Sequence, residues 1–122
     1  MQVVPFKYEH AEAYPGDMFV DGMYGLTLLR NSGLPCMSGG VADFPWGAEL
    51  WICTVDDITD YERMRGARIA RRFVALQLEL EKKIFAHTKP GNERWLMFLG
   101  FRLETTLVDE KGQIIHRWQK EE

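Results

Sequence analysis

The sequence predicts a mixed α/β domain, with about seven strands in one sheet, a long central helix and a short C-terminal helix. Three observations carry this expectation. Residues 22–55 read as a three-strand meander, turned at Asn31-Ser32-Gly33 and at Pro45-Trp46-Gly47. Ile69, Phe73, Leu76 and Leu80 follow a four-three-four spacing, which gives one apolar stripe on a helix over residues 60–83. Residues 92–101 read as a short amphipathic helix that stops at Gly100 and turns straight into a strand.

Taken in order, Gln2 to Lys7 alternates as a strand, and Tyr8 to Tyr14 reads as a short helix ended by Pro15-Gly16. Gly22 to Arg30 is the first strand of the meander. Leu34 to Phe44 is its antiparallel partner, with Gly39-Gly40 marking a bulge or a close backbone approach. Ala48 to Val55 is the third. Asp56, Asp57 and Asp60 crowd the helix start, where carboxylates suit the partial positive charge. Arg65, Arg68 and Arg72 line a second side of the long helix. Ile84 to Thr88 is a strand and Lys89-Pro90-Gly91 a loop. In the helix that begins at Asn92, Trp95, Phe98 and Leu99 share a face. Arg102 to Val108 and Gln113 to Gln119 form a closing hairpin around Asp109-Glu110-Lys111-Gly112. No repeat, low-complexity tract or linker interrupts the order, so residues 1–122 are read as a single domain.

Composition narrows the class. No apolar run approaches the roughly 20 residues of a membrane helix, and residues 1–7 lack the features of a signal peptide. The two cysteines, Cys36 and Cys53, have no metal-ligand spacing and read as reduced thiols of an intracellular protein; no metal is expected. A net charge of −3 argues against general nucleic-acid binding. The charge is unevenly spread: residues 1–62 carry 2 basic and 10 acidic side chains, a balance of −8, and residues 63–122 carry 13 and 8, a balance of +5. That split either makes two faces of opposite sign or is cancelled by interleaving in the fold. Phe44, Trp46 and Trp51 cluster around one turn, as core or as a binding patch.

The helix running through Trp95 into Leu99-Gly100-Phe101 and a strand resembles the C-terminal half of a GNAT-type N-acetyltransferase. The element order is also that of the GNAT fold, with one abbreviated helix between the first two strands where two are usual. Within that group the chain is similar to acetyltransferase-like proteins of tailed phages, known in podoviruses as internal virion protein A. The similarity rests on Val3-Val4-Pro5-Phe6, on the turn and strand Phe44-Pro45-Trp46-Gly47-Ala48-Glu49-Leu50-Trp51, on Arg71-Arg72-Phe73, and on Trp95, Leu99-Gly100-Phe101, Glu104 and Gly112 in the tail.

The resemblance implies acetyl-CoA as cofactor, its pyrophosphate cradled by backbone amides at the start of the long helix. The family motif aligns best with Arg63-Met64-Arg65-Gly66-Ala67-Arg68. Arg63 and Gly66 match it, while Arg68 stands where a small residue is usual. Arg63, Arg65 and Arg68 either meet phosphate oxygens or form a solvated helix face. Asp56, Asp57, Asp60 and Glu62 lie just upstream and repel a phosphate. The family's tyrosine acid, four residues before the glycine, is Leu96 in this chain. For the general base the resemblance implies a carboxylate on the strand before the long helix, and Glu49 is the one there; His87 is the substitute among the histidines. Cys53 is a further nucleophile candidate without a histidine partner.

Two functions follow. The first is an accessory protein of phage particle assembly, of the virion interior or of host-factor binding, in the host cytoplasm or associated with the virion. It works through contacts with a phage or host protein. The second is an acetyl-CoA-dependent N-acetyltransferase acting on a protein or a small amine. The sequence sets no oligomeric state.

Overall fold

The structure, a computed structural model, describes residues 1–17, 19, 21–80, 83–88 and 93–120; the loop expected at 89–91, Asn92 and helix positions 81 and 82 lie outside the described residues. In chain order the elements are β1 (Gln2–Pro5), a 3-10 helix (Tyr8–Ala13), β2 (Met23–Leu29), β3 (Pro35–Phe44), β4 (Gly47–Thr54), α1 (Asp60–Glu79), β5 (Ile84–Thr88), α2 (Glu93–Phe98), β6 (Arg102–Val108) and β7 (Ile114–Lys120). The strands form one sheet in the order β1-β2-β3-β4-β5-β7-β6. All neighbours pair antiparallel except β4 and β5, which are parallel.

Within the sheet the acidic half supplies β1 to β4 and the basic half β5 to β7. But α1, which carries Arg63, Arg65, Arg68, Arg71 and Arg72 of the basic half, packs over β2 to β4, so the charge split is partly interleaved by the fold.

Register assigns the faces, because side chains alternate along a strand. Leu26 and Leu28 on β2, Met37 and Val41 on β3, and Leu50 and Ile52 on β4 share the face against which α1 packs. The larger core joins Val74 and Leu78 of α1 to Ile84 and Ala86 of β5, Trp118 of β7, and Leu96, Leu99 and Phe101. Thr27, Ser38, Glu49, Trp51 and Cys53 lie on the opposite face, where the 3-10 helix packs against β3.

Both ends of α1 have local causes. Thr59 is its N-cap: the Thr59 hydroxyl accepts from the Glu62 amide at 3.1 Å, and the Glu62 carboxylate accepts from the Thr59 amide at 2.9 Å. The helix stops at Glu79, short of the expected Lys83. The Leu80 amide turns back to Gln77 O, and Lys83 O is already engaged by the Ala48 amide at 2.8 Å. The expected apolar stripe is rotated. Ile69 and Phe73 do face the sheet, but Leu76 and Leu80 are exposed, and the buried positions are Glu62, Gly66, Val74, Gln77 and Leu78. Gly66 sits where α1 comes closest to β3; a methyl there would overlap Met37 Sδ.

The stop of α2 follows the expected chemistry. Gly100 has φ +87°, its amide donates to Met97 O at 3.0 Å, and the Phe101 amide donates to Leu96 O at 2.9 Å. This is a Schellman closure, and Phe101 and Leu96 meet in the same core. Phe98 departs from the expected apolar face. It is 47% exposed under the guanidinium of Arg71, 5.4 Å from the ring centre, while Leu96 and Leu99 take the buried positions.

Candidate functional site

β4 and β5 pair only at Ala48–Ile84 and Glu49–Phe85, with the Ala48 amide on Lys83 O. Gly47, at φ +145°, permits this start: a side chain there would strike Lys83 O and the Phe85 ring. Beyond Glu49 no further β4–β5 pair forms, and the sheet opens between Leu50–Thr54 and Ala86–Thr88. The opening is directed toward the β4–α1 loop and the first turn of α1.

Glu49 and His87, nominated separately by the sequence, meet at this opening. His87 Nδ1 lies 3.0 Å from Glu49 Oε2, and Trp46 Nε1 donates to Glu49 Oε1 at 3.4 Å. Glu49 is 17% exposed at its side chain and His87 40%, so the pair is held by protein on the carboxylate side and open to solvent at the imidazole. With Nδ1–H donating to the carboxylate, Nε2 keeps its lone pair and is available as a base. On the same face are two buried donors with no hydrogen-bond partner among the described residues, Trp51 Nε1 and Arg117 Nε. Arg117 pairs with His87 across β5–β7, and its guanidinium lies 4.2 Å from the Phe85 ring centre.

The first turn of α1 is built differently. Arg30 at the end of β2 sends Nε to Glu62 Oε2 at 2.8 Å and its NH2 nitrogen to Glu62 Oε1 at 3.1 Å, and it also reaches the Asp57 carboxylate. Glu62 is only 6% exposed. The Arg30 hydrogen bonds, then the Thr59 amide, lower its carboxyl to about 2, and Glu62 and Asp57 in turn raise the guanidinium's pKa. A diphosphate does not fit this cradle. The Glu62 amide is spent on Thr59, the Arg63 amide donates to Thr59 O at 2.9 Å, and Glu62, Asp56, Asp57 and Asp60 supply like charge.

The expected cofactor positions lie along the helix beyond that turn. Arg63, Arg65 and Arg68 are exposed on α1, Ala67 is half-buried, and Gly66 is buried against Met37. Leu96, at the position of the family's acid, is sealed in the core. Cys53 is pushed up to about 12, by burial first and then by Asp17, and Cys36 to about 11, by burial first and then by Glu62, so neither thiol supplies a thiolate at neutral pH. Among the described residues no group of side chains could hold a metal ion, and no helix is long and apolar enough to cross a membrane.

Sequence reasoning missed Arg30 and Arg117, which nothing local marks, since each acts on a residue distant in the chain; Trp46 was named as part of an aromatic cluster, but not as the donor to Glu49 three residues on. The Thr59–Glu62 closure was readable: Thr-x-x-Glu at a helix start is the signature of a capping box.

No protein-family model matches the chain, and no curated protein matches it by sequence. Solved structures do. The chain is similar to the ribosomal-protein-S18-alanine N-acetyltransferase from Escherichia coli, with TM-score 0.67 and 10% identity over 97% of this chain and 91% of that one. It is similar to the ribosomal-protein-S5-alanine acetyltransferase from Vibrio fischeri, with TM-score 0.67 and 14% identity over 82% of this chain and 62% of that one. A GNAT-family acetyltransferase from Bacillus anthracis gives TM-score 0.63 and 10% identity over 81% and 65%. The chain therefore spans less than two thirds of the last two proteins. At such identities the likeness speaks for architecture, and the conclusion is that this chain has the GNAT fold of the N-acetyltransferases, a seven-stranded mixed sheet with one long and one short helix.

Proposed function

We propose that this chain is an accessory protein on a GNAT scaffold, encoded by a tailed phage, that acts through contacts with a phage or host protein and does not clamp coenzyme A at α1. The phage assignment rests on the resemblance carried by Val3–Phe6, Phe44–Trp51 and Arg71–Phe73. It places the protein in the host cytoplasm or with the virion. The observation that carries the reading is the Glu62 carboxylate, which occupies the helix start together with Thr59 and Arg30. A phosphate brought there would have to displace a buried, paired carboxylate, and breaking such a pair is costly.

Thermal denaturation with acetyl-CoA tests it. A specific site at a hundredfold excess over Kd would add about 2.7 kcal/mol of stability. The expected result is no shift at millimolar acetyl-CoA, together with co-purification with particles or with one defined partner. A saturable shift overturns the reading.

The Glu49–His87 pair favours a second reading, an N-acetyltransferase acting on a protein or small amine. Acetyl-CoA would supply the acetyl group as a thioester. The chain's own part is the proton: His87 Nε2 would take it from an ammonium at the strand opening, while Glu49 orients the ring and stabilises the imidazolium. Transfer of acetyl to an amine that is lost in Glu49→Gln would establish it.

A further inference from the structure

His10 Nδ1 holds two groups at once. It accepts the backbone N–H of Lys7 at 3.1 Å and lies 2.9 Å from Thr27 Oγ1. A backbone amide can only donate, so Nδ1 carries no proton, and the Thr27 hydroxyl also points its proton at the one lone pair, which the two donors share. Thr27 has a single hydroxyl proton. Ser38 Oγ, 2.8 Å away, therefore donates to Thr27, and the Tyr14 hydroxyl, 2.7 Å from Ser38 Oγ, donates to Ser38. One amide thus sets the direction of every bond in the chain. Thr27, Ser38 and Tyr14 are all buried, and together they tie residues 7–14 to β2 and β3.

The same segment covers Trp51. Phe6, next to Lys7, meets the Trp51 ring edge-on at 4.8 Å and stacks on Phe19 at 5.7 Å. Beneath this cover Trp51 Nε1 is buried and finds no acceptor among the described residues. An unmet N–H in the interior costs free energy for as long as the cover is shut, and water would relieve it on opening.

We propose that His10 is a pH-sensitive latch: unprotonated, it clasps residues 6–14 to the sheet, and protonation at Nδ1 releases them from the Trp51 face. A protonated Nδ1 offers no lone pair to the Lys7 amide, and its N–H would face the Thr27 hydroxyl and force the whole chain to reverse. The charged side chains of its own segment are Lys7 and Glu9, which pair with each other at 4.0 Å, and Glu12. β2 and β3 present only the hydroxyls of Thr27 and Ser38 to this chain. Tyr14 stays protonated, since burial pushes it up to about 12. No carboxylate is hydrogen-bonded or ion-paired to His10 among the described residues, so nothing there rewards an imidazolium in the closed state. The sign follows. The clasped state needs the neutral ring, so the cover is shut at high pH and opens as pH falls.

Nitrogen-15 NMR on the whole chain between pH 8 and 5 tests this, reading the Lys7 amide and the Trp51 indole, the latter assigned with Trp51→Phe. In the native sequence, Lys7 amide exchange, corrected for its intrinsic pH dependence, is expected to accelerate by about tenfold or more on acidification, and the indole resonance to shift with it. His10→Asn places an amide oxygen where Nδ1 was; it accepts the same donors and takes up no proton, so both signals should stay flat. Thr27→Val removes one donor to the neutral ring and should move the opening to higher pH. The proposal is overturned if His10→Asn repeats the native transition, or if the native chain shows none.

Discussion

Glu49 Oε2 and His87 Nδ1 stand 3.0 Å apart at the last point where β4 and β5 still pair, so a side-chain contact adds to the backbone pairs that join the strands of the acidic half to those of the basic half. A hydrogen bond at such a partly exposed site contributes about 0.5–1.5 kcal/mol. Glu49→Gln and His87→Gln should therefore each keep the urea midpoint close to wild type. If the pair is a base, each should lower amine acetylation by roughly 10²- to 10⁴-fold in folded protein. Equilibrium unfolding and a transfer assay on the same samples separate the two effects, and an early melt in both variants would mark the pair as purely structural.

Gly66 tests the alternative use of the family's glycine. It is buried at the crossing of α1 over Met37, beside a cavity of about 40 Å³ lined by both residues. Gly66→Ala should destabilise by roughly 1–3 kcal/mol, the usual cost of overpacking. Met37→Ala in the Gly66→Ala background should recover part of that loss, because the overlapping sulfur is gone. Denaturation of the two single variants and the double variant gives the coupling directly.

The thiols give a chemical readout of both faces of the sheet, Cys36 on the Met37 side and Cys53 on the opposite side. Burial holds Cys36 near about 11 and Cys53 near about 12, so both are almost wholly protonated at neutral pH. Native protein at pH 7.5 should react with a disulfide reagent far more slowly than free cysteine. Denatured protein should titrate both of its cysteines at once. A fast-reacting thiol in the native state would contradict the geometry around Cys53.

The succession of elements, the long helix and the Gly100 stop were legible because each rests on local chemistry: alternation, a run of helical residues, a glycine with positive φ. The buried face of α1 was not. Glu62, Gly66 and Gln77 occupy core positions that hydrophobic spacing cannot detect, whereas Leu76 and Leu80, which fit the spacing, are exposed. The site divided in the same way. Glu49 and His87 were named as separate candidates, but their meeting depends on parallel register between β4 and β5, which sets Ala48 against Ile84 and Glu49 against Phe85. The Arg30–Glu62 closure depends on the residue just after β2 reaching a helix start, and no sequence period encodes that.

Glu62 should also govern acid stability. Arg30 and the Thr59 amide hold its carboxyl at about 2 in the folded chain against an ordinary value of 4.5. A carboxyl lowered on folding stabilises the native state when ionised, so its contribution is fully present above the ordinary value and is lost as pH falls toward 2. Glu62→Gln keeps the shape and removes the charge. The difference in unfolding free energy between wild type and Glu62→Gln should be constant from neutrality to about pH 5, then shrink until roughly pH 2. Thr59→Ala removes the cap and leaves the Arg30 contacts in place, costs about 1 kcal/mol, and should show a much smaller pH dependence, since the Thr59 side chain is the least of the groups that lower this carboxyl. Urea unfolding at a series of pH values measures both. A wild-type–Glu62→Gln difference that stayed level down to pH 2 would mean that Arg30 does not hold this carboxylate in solution, and with it would fall the argument that the helix start is closed to phosphate.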